Sequence, residues 1–286
     1  MQNQTTPLIL TFGVADPVGA IGVQADLAAF AALGCHGVSV ITGLLISDTA
    51  RVEDTQPVDA DWVNDQGRGL LEDMRVAAIK IGALTSLSQV SVVAEIVSDY
   101  PDVPLILDPY LSALPDSGLH DDDMIEVFRQ ILVPQATVLL LSQVELARMA
   151  ETWRDGAGDM IAADTEELLD AGCEYVLVKC TSTSKGGGAI CNTLYGHEGQ
   201  VAEYQWRHLP GPFVGAGSTL SAALTALLAR GLSVPDAVAA AQDFIAGALK
   251  HAQRFGMGKL VPNKFHGYQL PASLPLHVQP KESKYS

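Results

Sequence analysis

Positive charge is scarce in this sequence: 17 Lys and Arg stand against 33 Asp and Glu, a formal net charge of −16. An anionic polymer or an anionic membrane surface repels such a chain at long range, so nucleic acid and membrane are both excluded as partners. Any phosphorylated ligand must then be held by local donors or by a metal ion. Cysteine is sparse too. Cys35, Cys173, Cys180 and Cys191 show no CxxC spacing, which argues against a zinc knot or a disulfide framework and reads as buried thiols in a reducing compartment. The seven histidines form no HExxH or comparable ligand spacing, so a histidine metal site is not expected. There is no uninterrupted run of about 18 apolar residues, and the start MQNQTTP carries neither a basic nor an apolar leader segment. On these grounds the protein is expected in the cytoplasm.

Two familiar phosphate loops are also missing. A P-loop needs Gly-Lys followed by Ser or Thr, and the dinucleotide fingerprint needs a third glycine with a ribose-binding acid about 20 residues on. Neither pattern is completed. What the chain does have is 286 residues at 48% hydrophobic content, enough to bury a large core in one main domain, assigned here to residues 1–257 with a tail at 258–286. Short β-rich runs alternate with helical patterns: LILTF at 8–12, AIGVQADLAAFAALG at 20–34, VSVITGLLI at 38–46, AAIKIG at 77–82, LILD at 105–108, TVLLL at 137–141 and YVLVK at 175–179. This βαβ rhythm predicts an α/β fold, a mostly parallel central sheet with helices on both faces. After Lys179, GGGAICNTLYG and QVAEYQWRHL read as two antiparallel strands, then come two terminal helices and a proline-bearing irregular tail from Gly258. Ligands of such sheets bind beyond the carboxyl ends of the strands. Asp16, Ser47, Asp48, Ala83, Asp108, Tyr110, Ser142, Glu145 and Lys179 fall there.

The most informative stretch is GPFVGAGSTLSAAL at 211–224, a glycine turn running directly into a small-residue helix. Gly215 and Gly217 permit positive φ and close backbone approach, Ser218 or Thr219 can cap, and the helix dipole adds to the free N–H groups at one point. A phosphate or developing oxyanion suits that point. The alternative is a helix N-terminus packed tightly on a sheet.

The stretch TFGVADPVGAIGVQADLAAFAALGCHGVSVITGLLISDT, Thr11 to Thr49, resembles the opening of the hydroxymethylpyrimidine and phosphomethylpyrimidine kinases of thiamin synthesis, members of the ribokinase-like superfamily. KIGAL at 80–84, LDPY at 107–110, VLVK at 176–179 and GAGSTLSAALTALLARG at 215–231 follow in the family's order. The resemblance implies a three-layer α/β/α ribokinase-like fold. It implies transfer of the γ-phosphoryl of MgATP to a hydroxymethyl group on a small heteroaromatic ring, by a protein that pairs as a homodimer. By the same similarity, the amides of Gly215, Ala216 and Gly217 form the anion hole, and residue 218 accepts the substrate hydroxyl proton. The family has Cys or Asp there; this chain has Ser218, a very poor base at neutral pH.

Other departures gather around the same crevice. Where the family's ring pocket carries glutamine, glycine, alanine, methionine and valine, this chain has Ser47, Val14, Ile21, Ala83 and Tyr110. Asp26 is retained, with an ordinary polar helix position as its other reading. The coordinated changes imply a reshaped ring pocket. On the nucleotide side, the family's metal-organising Asn-x-x-Glu becomes Ser142-Gln143-Val144-Glu145, and Cys180 and Thr181 replace two glycines after Lys179, with Gly186 to Gly188 a little later. Glu145 can hold Mg2+ through water or simply favour a helix dipole. Lys179 is a phosphate partner or a surface lysine. Two functions fit these residues: an ATP-dependent kinase of this type, on hydroxymethylpyrimidine, its phosphate or a pyridoxal-class alcohol, or a catalytically weakened paralogue that binds such a ligand or a nucleotide as a sensor.

Overall fold

The computed structural model describes residues 6–109, 122–150, 160–183, 189–207 and 209–268. In chain order they form β1 (Leu8–Ala15), α1 (Gly22–Ala32), β2 (His36–Ser47), β3 (Val52–Pro57), α2 (Ala60–Asp73), β4 (Ala78–Ile81), α3 (Leu87–Ser98), β5 (Leu105–Leu107) and α4 (Asp122–Ile131). There follow β6 (Val138–Ser142), α5 (Gln143–Met149), α6 (Met160–Asp170), β7 (Tyr175–Thr183), β8 (Ala189–Gly196), β9 (Gly199–Arg207), α7 (Ala216–Ala229) and α8 (Val234–Lys250). The strands make one nine-stranded sheet in the order β3-β2-β1-β4-β5-β6-β7-β8-β9. Its centre, from β2 to β7, is parallel, while β3, β8 and β9 add antiparallel edges.

The strand side chains alternate between two buried faces, as a period of two requires. Leu105, Leu107, Leu139, Leu141, Val176 and Val178 join a core with Val90, Phe128 and Leu168 from α3, α4 and α6. Ile106, Val138, Leu140 and Leu177 point the other way, onto Leu224 of α7 and Val238 and Ile245 of α8. Ile9, Ala29, Phe30 and Ala226 complete that second face, where α1 meets α7. The result is the expected three-layer α/β/α arrangement. The β8–β9 hairpin is where the sequence places it. The short β3 escapes a hydrophobicity reading because VEDTQP is polar and half-exposed to exposed throughout.

α7 is buried continuously from Ser218 to Leu228, which its run of Ser, Thr, Ala and Leu allows. Its buried hydroxyls are satisfied locally: Thr219 donates to the Gly215 carbonyl at 2.8 Å and Thr225 to the Ser221 carbonyl at 2.7 Å. Neither Ser218 nor Thr219 caps the helix, contrary to expectation. The helix begins at Ala216, three residues before a Ser218 cap would place its start and four before a Thr219 cap would, with Gly215 as N-cap in the left-handed region at φ 82°. Only glycine fits, since a Cβ at 215 would collide with the Ala20 carbonyl. From Gly258 onward the chain is irregular as far as it is described, and it laces the crevice loops together. Val214 N–H donates to Leu260 O and Leu260 N–H to Pro212 O, both at 2.9 Å, and Lys259 N–H donates to Thr49 O at 2.8 Å. Residues 269–286 lie outside the described residues.

Candidate active site

The turn after β1 is organised by one carboxylate. Asp16, buried, accepts from the N–H groups of Val18, Ala20 and Ile21 at 2.9–3.0 Å, so a side chain outside α1 caps the approach to it. Ser47 donates to the same carboxylate at 2.6 Å. Its hydroxyl is thus committed to the turn and is not among the lining of the small cavity beside Ser218. That cavity, of about 10 Å3, is lined by Val14, Ile21, Asp26, Ala83 and Ser218 of the expected residues, together with Gly13, Gly22, Lys80, Gly82 and Asp108. It has room for one water. Val14 and Ile21 are almost fully buried and fill the adjoining space.

Asp26 is no ordinary surface position on α1. It is fully buried, and its Oδ2 accepts from Thr11 Oγ1 at 2.7 Å and from Lys80 Nζ at 3.0 Å. Its Oδ1 has no hydrogen-bond partner among the described residues. Burial pushes its pKa up, more strongly than Lys80 and the Thr11 hydroxyl pull it down. The sequence reading missed Lys80, although its signal is visible: a lysine between Ile79 and Ile81 in a four-residue strand buried at every position.

A second ionic cluster adjoins the first. Lys179 Nζ stands 3.5 Å from Asp108 Oδ1 and 3.8 Å from Glu145 Oε2. Lys179 is therefore no surface lysine. It occupies the last rung of the β6–β7 pairing, where β7 bulges away from β8 and Cys180 takes φ 60°. Burial opposes the lysine's charge, but the two carboxylates overcome it and raise the pKa. Burial likewise opposes ionisation of Asp108, yet Lys179, Lys80 and a 2.6 Å hydrogen bond from Ser221 Oγ hold its pKa below the usual carboxylate range. Glu145 and Ser142 form a capping box on α5: Ser142 N–H donates to Glu145 Oε2 at 2.7 Å, and Glu145 N–H to Ser142 Oγ at 3.3 Å.

The start of α7 meets both clusters. The first helical bond runs from Thr219 N–H to Gly215 O, so the amides of Ala216, Gly217 and Ser218 precede the ladder and have no acceptor among the described residues. Lys179 Nζ lies only 3.5 Å from the position a Cβ on Gly217 would take. Unsatisfied amides, a helix dipole and an ammonium group thus converge on one point, which suits a transferable phosphoryl group. Ser218 sits beside this point, 5% exposed. Tyr110 and Gly186 to Gly188 lie outside the described residues, as does the side chain of Thr181.

Among the described residues no group of three His, Cys, Asp or Glu could hold a metal ion. Size does not mark the chemistry in this molecule. Larger cavities of about 730 and 630 Å3 lie elsewhere, one lined by Thr165 and His197 and the other by Leu33 and Tyr268. Among the described residues no helix is long and apolar enough to cross a membrane.

Comparison with known proteins fits this geometry. The phosphomethylpyrimidine kinase family model matches residues 16–263. The hydroxymethylpyrimidine/phosphomethylpyrimidine kinase of Streptomyces coelicolor is 31% identical over 270 residues, 93% of this chain and 96% of that protein. In fold, the chain resembles Bacillus subtilis pyridoxal kinase in its ADP complex, with a TM-score of 0.79 at 22% identity over 93% of this chain and 100% of that one. Staphylococcus aureus pyridoxal kinase in complex with AMP-PCP and pyridoxal gives 0.76 at 23%, covering 92% and 95%. The match of the family model to residues 16–263 and the 31% identity to the Streptomyces coelicolor enzyme along most of both chains place the chain in the phosphomethylpyrimidine kinase family.

Proposed function

We propose that the protein is an ATP-dependent kinase that phosphorylates the hydroxymethyl group of a small heteroaromatic, either a hydroxymethylpyrimidine or its phosphate, or a pyridoxal-class alcohol. The carrying observation is the convergence of the Ala216, Gly217 and Ser218 amides with Lys179 beside the cavity of Asp26, Lys80 and Asp108. In this reading the γ-phosphoryl lies on those amides and Lys179 neutralises its developing charge, the main contribution a protein makes to phosphoryl transfer. Glu145 would help hold Mg2+, which would supply positive charge to offset that of the phosphates.

A cavity of about 10 Å3 has room for one oxygen atom, such as that of the acceptor hydroxyl, and not for a ring. The ring then stays above it, against Val14 and Ile21. With Ser47 bonded to Asp16, recognition of the ring rests more on shape than on a hydrogen bond from position 47. The sensor reading draws on one observation, that Ser218 is a hydroxyl with no basic partner among the described residues.

One assay separates the two. The protein is incubated with MgATP and a panel of hydroxymethyl pyrimidines and pyridines, ADP is followed, and products are identified by mass. Phosphorylated product from any member supports the kinase. Tight binding of a member with no ADP release above background, and turnover appearing only in Ser218→Asp, supports the sensor.

A further inference from the structure

The orphaned oxygen of Asp26 has a chemical use. A fully buried carboxylate atom without a partner among the described residues is costly, and a catalytic role is one of the reasons proteins keep such atoms. Asp26 is among the residues that line the water-sized cavity, as is Ser218. We propose that Asp26, on α1, rather than residue 218, is the general base that takes the proton of the acceptor hydroxyl. The inference rests on the kinase reading above and names the group that reading lacks.

Asp108 is the other carboxylate of the cavity and is poorly suited to the task. One oxygen accepts from Ser221 and the other faces Lys179, so each oxygen already has a partner and its basicity is reduced. Asp26 differs on both counts. Thr11 and Lys80 hold Oδ2 and fix the carboxyl plane, leaving Oδ1 open, while burial makes the ionised group more basic. In the step itself, the acceptor oxygen forms a bond to the γ-phosphorus, the bond from that phosphorus to the β–γ bridging oxygen breaks, and ADP leaves with the electron pair. The hydroxyl proton passes to Asp26 Oδ1 and is lost to water when the product departs. The charged or titratable groups felt by Asp26 are Lys80 on β4, Asp108 after β5 and Lys264 of the C-terminal segment, and Thr11 on β1 donates to it.

The test is Asp26→Asn, with kcat and KM measured across pH using a substrate found active in the panel assay. We expect kcat to fall ~10²–10⁴-fold, the usual value of a positioned base, and the acid limb of the kcat profile to disappear, with AMP-PCP affinity unchanged. Adding Ser218→Asp to Asp26→Asn should restore turnover, because it returns a carboxylate to the same cavity. Where Asp26→Asn leaves Lys80 unpaired and fails to fold, the same measurements on Asp26→Asn/Lys80→Met avoid the lone charge. A variant that binds AMP-PCP yet shows only a raised KM, keeps its acid limb, or is not rescued by Ser218→Asp overturns the assignment. Absence of turnover by the unaltered protein on every alcohol tested overturns the kinase reading and Asp26's role with it. Turnover that survives Asp26→Asn removes only the role of Asp26.

Discussion

Two glycines only two positions apart should respond to alanine in opposite ways. Gly215 holds φ 82°, and a Cβ there would collide with the Ala20 carbonyl. The left-handed conformation alone costs a non-glycine residue roughly 1–2 kcal/mol, and moving the Asp16–Ile21 turn adds to that, so Gly215→Ala should lose about 3 kcal/mol. At about 2 °C per kcal/mol for a chain of this size, Tm should fall by roughly 6 °C. Gly217 is helical with ordinary φ, and its added Cβ would make only van der Waals contact, 3.5 Å from Lys179 Nζ. Replacing a helical glycine with alanine gains up to about 1 kcal/mol, so Gly217→Ala should melt no lower than the parent. Its methyl group nevertheless stands between the Lys179 ammonium and the helix-start amides. Loss of one anion-hole donor costs ~10²–10³ in kcat, and turnover should fall by that order. Thermal melts and an ADP-release assay on both variants decide the matter. Full turnover by Gly217→Ala would mean that this surface receives no phosphoryl group, and the argument for the site would fail.

Three further outcomes follow from the buried charges and the filled pocket. Ser221→Ala removes the 2.6 Å hydrogen bond to Asp108 and should cost ~1.5–3 kcal/mol at pH 7 in urea melts. The folded Asp108 pKa lies below its unfolded value, so the stability it confers is present above the ordinary carboxylate range and is lost as pH falls through the folded value; the Ser221→Ala penalty should therefore shrink as the pH is taken below the ordinary carboxylate range. Lys80→Met leaves a buried carboxylate without its cation and should cost ~3–5 kcal/mol, most of it regained in the double variant with Asp26→Asn, as a double-mutant cycle would measure. Ile21→Ala opens the pocket, so free protein should lose ~2–4 kcal/mol while kcat/KM rises for the bulkier members of an alcohol panel. A flat specificity profile in that variant would rule out Ile21 as the limit on ring size.

How far the residues themselves disclosed the site depended on how local each cause is. The glycine turn at 215–217 was readable because the demand it meets, a helix start against a neighbouring backbone, leaves its mark in adjacent residues. The capping box at Ser142 and Glu145 is three residues wide, and its composition was visible as a departure from Asn-x-x-Glu. Ser47 was expected at the ring, and nothing local reveals that its hydroxyl turns to Asp16, 31 residues earlier. The polar edge strand β3 was missed because an edge exposed to water needs no hydrophobic alternation.

Chain order, composition and periodicity therefore settled the layered α/β architecture, the sheet's antiparallel extension and the place of the glycine turn that opens α7, since each follows from apolar repeats and glycine positions in contiguous segments. Which side chains share charge was settled only by folding. Lys80 meets Asp26 across 54 residues, and Ser221 meets Asp108 across 113. Nothing in either segment fixes those pairings; they arise because parallel strands bring their carboxyl ends to one edge and α1 and α7 are laid beside them. Burial disfavours the charge of both carboxylates, but at Asp26 it outweighs Lys80 and Thr11 and raises the pKa, whereas at Asp108 Lys179, Lys80 and Ser221 outweigh it and lower the pKa, though the two are the same amino acid on walls of one cavity.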